Sequence, residues 1–220
     1  MDPDTTTEPV VLPGERDVRG TLDLTGAVEE GSAGSDTVVV ACPPHPQYGG
    51  SRSDSRLRAV ADRLTDRGID CFRFDYGPWA EGVGERADLR AALAWATDRY
   101  AQVAVFGYSF GGAVAILVAA EIAQSSDDTA RSVDVDALCA LSPARSLDDG
   151  GDVPAAVPKV TPPAGLVYGT RDDTVDWEPT VTAAQRAGWR VTGLPADHQF
   201  TGKQSQAAEA VVETFDGVLE

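Results

Sequence analysis

Along this chain the apolar positions switch repeatedly between two rhythms. Thr37 to Cys42 is an unbroken apolar run, the pattern of a strand covered on both faces. Ser55 to Arg67 then spaces Leu57, Val60, Ala61 and Leu64 as one helical face, with Gly68 placed to end it. The alternation continues. Ile69 to Phe74 predicts a strand, Glu85 to Tyr100 a helix, Val103 to Phe106 a strand and Gly111 to Ala123 a helix. Ala137 to Leu141 reads as a strand stopped by Ser142-Pro143, and Leu166 to Tyr168 as another. Glu178 to Ala187 is helical with Gly188 at its end, Arg190 to Gly193 a short strand and Lys203 to Leu219 a closing helix. Upstream, Val18 to Leu24 alternates like a half-exposed strand, and Val10 to Leu12 suggests a shorter one. Glu29 to Asp36 reads as a turn, and Leu147 to Pro163, rich in Pro, Gly and Asp, as a surface crossing.

Strand–helix alternation with fully apolar strands implies an α/β fold: a mostly parallel central sheet with helices on both faces. Residues 1–15 are expected to be loosely ordered, and residues 16–220 to form one domain, because no repeat or linker divides them. In such sheets ligands bind beyond the carboxyl ends of the strands. The chemistry is therefore sought just after each strand.

Charge narrows the functions. The 220 residues carry 35 acidic and 18 basic side chains, a formal net charge of −17. A phosphate backbone needs a basic face, so no nucleic-acid partner is expected. An anionic membrane surface is excluded in the same way. Lys occurs only at Lys159 and Lys203, and Asp outnumbers Glu about two to one. A carboxylate-dense surface repels itself at low ionic strength and is relieved by screening, which points to a salt-adapted, halophilic protein. Cys42, Cys71 and Cys139 lack disulfide or zinc spacing and read as buried thiols of a reducing compartment. Met1 to Pro9 has no basic or apolar signal region, so a cytoplasmic location is expected. Tyr100 to Ala120 carries no charge, but Gly107-Tyr108-Ser109-Phe110-Gly111-Gly112 interrupts it, which suits a buried strand, turn and helix better than a membrane span.

That interruption is Gly-x-Ser-x-Gly between a strand and a helix, the geometry of a nucleophile elbow. The glycines let strand and helix approach while Ser109 occupies a strained turn, and the following helix aims its N–H groups at developing negative charge. A serine nucleophile needs a base, and of the two histidines His198 lies between the last strand and the last helix, on the same rim. The imidazole needs an orienting carboxylate. Asp172 and Asp173 both follow the Leu166 to Tyr168 strand, giving the order Ser, Asp, His, and order alone does not choose between them. Trp95 reads as core, whereas Trp79 and Trp177 follow strands and could line an acyl pocket. The Gly82-Val83-Gly84 stretch does not fit a dinucleotide fingerprint, and two histidines without spaced cysteines do not make a catalytic metal site. No cofactor and no metal is expected.

These residues resemble the α/β-hydrolase superfamily, and within it the dienelactone-hydrolase-like serine hydrolases, over about three-quarters of the chain. Cys42-Pro43-Pro44-His45-Pro46-Gln47-Tyr48-Gly49-Gly50 is similar to the family's His-Pro-His-Pro-x-Tyr-Gly-Gly loop, with Pro43 in place of the first His. Phe72-Arg73-Phe74-Asp75-Tyr76-Gly77 resembles its Arg-Phe-Asn-x-Arg-Gly segment, departing at Asp75 and Tyr76. Gly169-Thr170-Arg171-Asp172 resembles its Gly-x-x-Asp turn, which favours Asp172 over Asp173, and Asp-His-x-Phe around His198 resembles its base loop. Dienelactone hydrolases proper use a Cys nucleophile, whereas Ser109 here points to ordinary esters or thioesters. The resemblance implies an α/β-hydrolase fold, and the chain is too short for a large lid: only the short Leu147 to Pro163 crossing could cover the site, so little or no lid is expected. One oxyanion donor is expected at the Phe110 N–H. The resemblance puts the second at His45, with Gln47 and Tyr48 as alternatives, and the His45 ring can equally pack or wall the pocket. Tyr48, Tyr108 and Trp79 are the expected substrate contacts. The expected activity is hydrolysis of a small ester, thioester or lactone through an acyl-enzyme on Ser109. The alternatives are acyl transfer by the same triad and a catalytically silent interaction module. Oligomeric state is not readable from the sequence.

Overall fold

In a computed structural model, residues 6–12, 14, 16–25, 35–125 and 133–219 are described. Eight strands among them form one sheet in the order β1-β2-β4-β3-β5-β6-β7-β8. They are β1 (Thr6–Val11), β2 (Arg19–Leu24), β3 (Thr37–Cys42), β4 (Asp70–Asp75), β5 (Gln102–Tyr108), β6 (Ala137–Leu141), β7 (Ala164–Gly169) and β8 (Arg190–Leu194). β1 pairs antiparallel with β2, and β2 antiparallel with β4; every pairing from β4 to β8 is parallel. The helices are α1 (Ser55–Thr65), α2 (Val83–Thr97), α3 (Phe110–Gln124), α4 (Val153–Ala156), α5 (Glu178–Arg186) and α6 (Gln204–Val212).

The two-residue period of the strands divides the core. On β3, Val38, Val40 and Cys42 join the layer of α2, α3 and α5, while Val39 and Ala41 join the layer of α1 and α6. On β5, Val103 and Val105 face the first layer, and Ala104, Phe106 and Tyr108 the second. Helices on both faces explain why these strands are apolar at every position. α3 lies deepest, with every residue from Phe110 to Ala120 buried, so the uncharged stretch is a core helix. No helix among the described residues is long and apolar enough to cross a membrane.

Three expectations need adjustment. The strand expected at Val10 to Leu12 begins earlier, because Thr6–Val11 pairs along its length with Arg19–Leu24. The closing helix ends at Val212, and the chain continues through turns that bury Phe215 and pass through Gly217 at φ 74°. The Leu147 to Pro163 crossing contains α4 and a 3-10 turn at Val157–Lys159. Pro154 and Pro158 sit in the first turn of these short helices, where a missing N–H costs nothing, so they start structure there and do not break it. Val153 and Val157 are fully buried, anchoring the crossing to the α3 layer. The turn expected over Glu29 to Asp36 lies mostly outside the described residues.

Candidate active site

Ser109 stands between β5 and α3 at φ 54° and ψ −118°, a conformation that non-glycine residues rarely adopt. Its backbone is held from both directions. The Ser109 N–H donates to Leu141 O at 2.9 Å, and its carbonyl accepts from the Ala113 and Ala144 N–H groups, each at 3.1 Å. The flanking glycines are required by close approach. A Cβ on Gly107 would stand 2.2 Å from Gly111 O, and one on Gly111 would stand 2.4 Å from the carbonyl oxygens of Cys42 and Pro43. The second contact brings the start of α3 against the loop that follows β3, placing Phe110 beside His45 with ring centroids 4.8 Å apart.

The β7 and β8 loops complete the group. His198 Nε2 lies 3.0 Å from Ser109 Oγ, and His198 Nδ1 lies 2.7 Å from Asp172 Oδ2. Both His198 and Asp172 are buried. The Tyr108 hydroxyl donates to His198 O at 3.0 Å, tying the base loop to the strand that carries the serine. Asp172 Oδ1 accepts from the Thr174 N–H at 3.0 Å and the Val175 N–H at 3.2 Å. Burial pushes the Asp172 carboxyl up, but the bonds from His198, Thr174 and Val175 outweigh it and hold it below the usual carboxylate range. Asp173 is exposed, so the geometry separates two acids that sequence order left equivalent.

The loop after β3 turns through a 3-10 helix, Pro46–Tyr48. Pro44 and Pro46 have no N–H to give. The Gln47 N–H is taken by His45 Nδ1 at 3.3 Å and the Tyr48 N–H by His45 O at 3.1 Å. Among the described residues no acceptor takes the N–H of His45 or of Phe110. The His45 ring packs between Tyr48 and Trp79, at 4.7 and 4.5 Å between centroids, and burial lowers its pKa although Asp148 and Glu85 pull the other way. The shift favours the neutral ring, whose Nδ1 can accept from the Gln47 N–H.

A cavity of about 290 Å³ opens beside Ser109 and His198. Pro44, Gly49, Gly50, Thr174 and Gln199 line it together with the expected His45, Tyr48 and Tyr108. Tyr48 stands 88% exposed at its mouth, whereas Tyr108 is 1% exposed and contributes mainly by holding His198. Trp79 is not among its lining residues; it packs behind His45 and 5.6 Å from the Phe110 ring. Trp177 also lies off the cavity, its ring tilted against that of Tyr168 and its Nε1–H given to Asp172 O at 3.2 Å. Among the lining residues that the sequence did not single out are Asp54, the N-cap of α1, and Arg56, whose guanidinium lies 4.7 Å over the Tyr108 ring. The Asp-x-Arg spacing resembles an ordinary helix cap, and only the path of the preceding loop turns it toward the serine. None of residues 147–163 lines the cavity. The three cysteines are buried and unpaired, and burial raises their thiols, that of Cys139 to about 12. Among the described residues no group of three or more His, Cys, Asp or Glu side chains is arranged to hold a metal ion.

No protein-family model matches this chain, and no curated protein matches it in sequence. Solved structures do resemble it. An α/β serine hydrolase homologue from Coxiella burnetii superposes with a TM-score of 0.75 at 21% identity, covering 94% of this chain and 96% of that one. A lid-less α/β serine hydrolase from Xanthomonas campestris gives 0.73 at 20% identity, covering 98% and 95%. A dienelactone hydrolase from Anabaena variabilis gives 0.68 at 22%, covering 99% and 100%. At these identities the likeness is one of fold: the chain has the α/β-hydrolase fold. Its similarity extends to structures described as serine hydrolases, esterases and a dienelactone hydrolase.

Proposed function

We propose that this protein is a serine hydrolase that cleaves small esters, thioesters or lactones through an acyl-enzyme on Ser109. One observation carries the reading: a continuous relay from Ser109 Oγ to His198 Nε2 at 3.0 Å and from His198 Nδ1 to Asp172 at 2.7 Å, opening on a cavity. His198 Nε2 takes the hydroxyl proton as Ser109 Oγ attacks the acyl carbonyl. Asp172 keeps the remaining ring proton on Nδ1 and stabilises the imidazolium. The free N–H groups of Phe110 and His45 hold the oxyanion; losing one such donor costs about 3 kcal/mol of transition-state stabilisation. The tetrahedral adduct collapses, and the leaving group departs with the proton that His198 returns. Water then attacks the acyl-enzyme, giving its proton to His198, which passes it to Ser109 as the acid is released. An open cavity of this size favours small soluble acyl groups over long lipid chains.

The test is covalent labelling by a fluorophosphonate, in high-KCl and in low-salt buffer, beside Ser109→Ala. Labelling at Ser109, absent from the variant, and turnover of short acyl esters are expected. A folded protein that neither labels nor turns over would overturn the reading and leave a silent interaction module.

A further inference from the structure

The wall of the cavity between the 3-10 turn and α1 has no regular structure, yet it carries Gly49, Gly50 and Asp54 into the site and leads to Arg56 in the first turn of α1. Something outside the cavity must hold it. The answer lies at the carboxyl end of β4, where the peptide groups of Arg52 are gripped from both sides. The Arg52 N–H donates to Asp75 Oδ1 at 2.6 Å, and the Arg52 carbonyl accepts from Arg73 Nη1 at 2.5 Å. The Arg52 guanidinium also pairs with the second oxygen of Asp75. Arg73 cannot swing away, because Asp23 of β2 holds its other edge by two buried bonds of 2.6 and 2.7 Å. Two residues upstream of this grip, the Gly50 N–H donates to His45 O at 3.0 Å. The stretch that fixes His45 is thus fastened to the sheet at Arg52.

From this geometry we infer that Arg73 and Asp75 are positioning residues. By clamping the backbone of Arg52 they hold the His45 N–H and the Asp54–Arg56 wall in register with Ser109, although neither lines the cavity. The inference rests on the hydrolase reading above. A shift of about 1 Å in such a support costs on the order of 100-fold in rate. The Arg52–Asp75 pair is about a third exposed on each side, 35% and 34%, so its loss hardly changes global stability. Catalytic and structural roles therefore separate.

The experiment compares wild type, Asp75→Ala, Asp75→Asn and Arg52→Ala in steady-state hydrolysis of 4-nitrophenyl acetate and butyrate, in fluorophosphonate labelling rate, and in thermal unfolding. Asp75→Ala is expected to lower kcat and labelling rate between about 10- and 100-fold. Its KM should change little, and its Tm should stay within a few degrees of wild type. Asp75→Asn keeps an acceptor for the Arg52 N–H and is expected to recover most of the loss. Arg52→Ala keeps both backbone bonds and is expected to stay within about threefold of wild type. Asp75→Ser, too short to reach the Arg52 N–H, replaces Asp75→Ala if that variant does not fold. The inference is overturned by wild-type kinetics in Asp75→Ala, by a loss that Asn does not recover, or by an equal loss in Arg52→Ala. Failure of wild type to label and turn over defeats the hydrolase reading itself, and this inference with it; labelling of wild type with unchanged Asp75→Ala defeats this inference alone.

Discussion

Replacing Asp172 by Asn tests the relay most sharply, because it changes one heavy atom and no volume. The carboxylate works on two sides: Oδ2 accepts from His198 Nδ1 at 2.7 Å, and Oδ1 accepts from the Thr174 and Val175 N–H groups at 3.0 and 3.2 Å. An amide offers only one acceptor atom. If its oxygen keeps the two backbone donors, its NH₂ faces His198 Nδ1. The ring then carries its proton on Nε2 and cannot take the one from Ser109. If the amide flips, the NH₂ meets two N–H groups in a buried site, and the loop that carries it loosens. The first arrangement keeps two bonds and should win. The expected cost is the loss of the productive tautomer, about 10⁴-fold in kcat. That is about 5.5 kcal/mol at 1.36 kcal/mol per tenfold. KM and Tm should change little. Asp173→Asn, at an exposed position, is the matched control and should behave as wild type. The assay is ester hydrolysis at saturating substrate with thermal unfolding in parallel. An Asp172→Asn enzyme that keeps more than about a tenth of kcat, or an Asp173→Asn enzyme that loses it, would refute the reasoning.

The other predictions concern the scaffold. Gly111→Ala drives a Cβ to 2.4 Å from two backbone oxygens, which have little room to yield, so urea unfolding should show a loss of about 3 kcal/mol with an unchanged slope. Because folding lowers the His45 pKa, the fold favours the neutral ring: that contribution is complete above the ordinary value of 6.5 and shrinks as pH falls below it. Tm should therefore fall between pH 8 and pH 5, and less steeply in His45→Gln. Asp172 has the opposite chemistry and a lower window, since its depressed carboxyl stabilises the fold above the ordinary value of 3.8 and ceases to as pH drops through the folded one. With a net charge of −17, the urea midpoint should rise as KCl is raised from about 0.1 to 1 M, where the screening length shrinks from about 10 to 3 Å; an unchanged or falling midpoint would count against a salt-adapted surface.

Much of this protein was written in the order of its residues. The apolar runs at β3, β5 and β6 announced buried parallel strands, because a strand covered on both faces has no position left for water. Gly-x-Ser-x-Gly between a strand and a helix announced the elbow, because its glycines are dictated by backbone contacts within a few residues of one another and with the neighbouring strand's loop. Ser109, one of two acids, and His198 followed from their places after successive strands. What local pattern could not decide was decided by long-range packing. Asp172 and Asp173 are chemically identical and adjacent, and only the path of the β7 loop buries one against His198 and leaves the other in water. Trp79 and Trp177 were equally eligible for the pocket, and both turned to support the residues in front of them. Arg56 read only as part of a helix, Arg73 as a strand residue and Asp75 as a departure from the family's segment, until the sheet brought β2, β4 and the loop at Arg52 together. A side chain's type and the period of its neighbours are local quantities, fixed by the chain itself. Which charge meets which carbonyl, 20 to 90 residues away in sequence, depends on how the strands are ordered, and that order exists only once the whole sheet has formed.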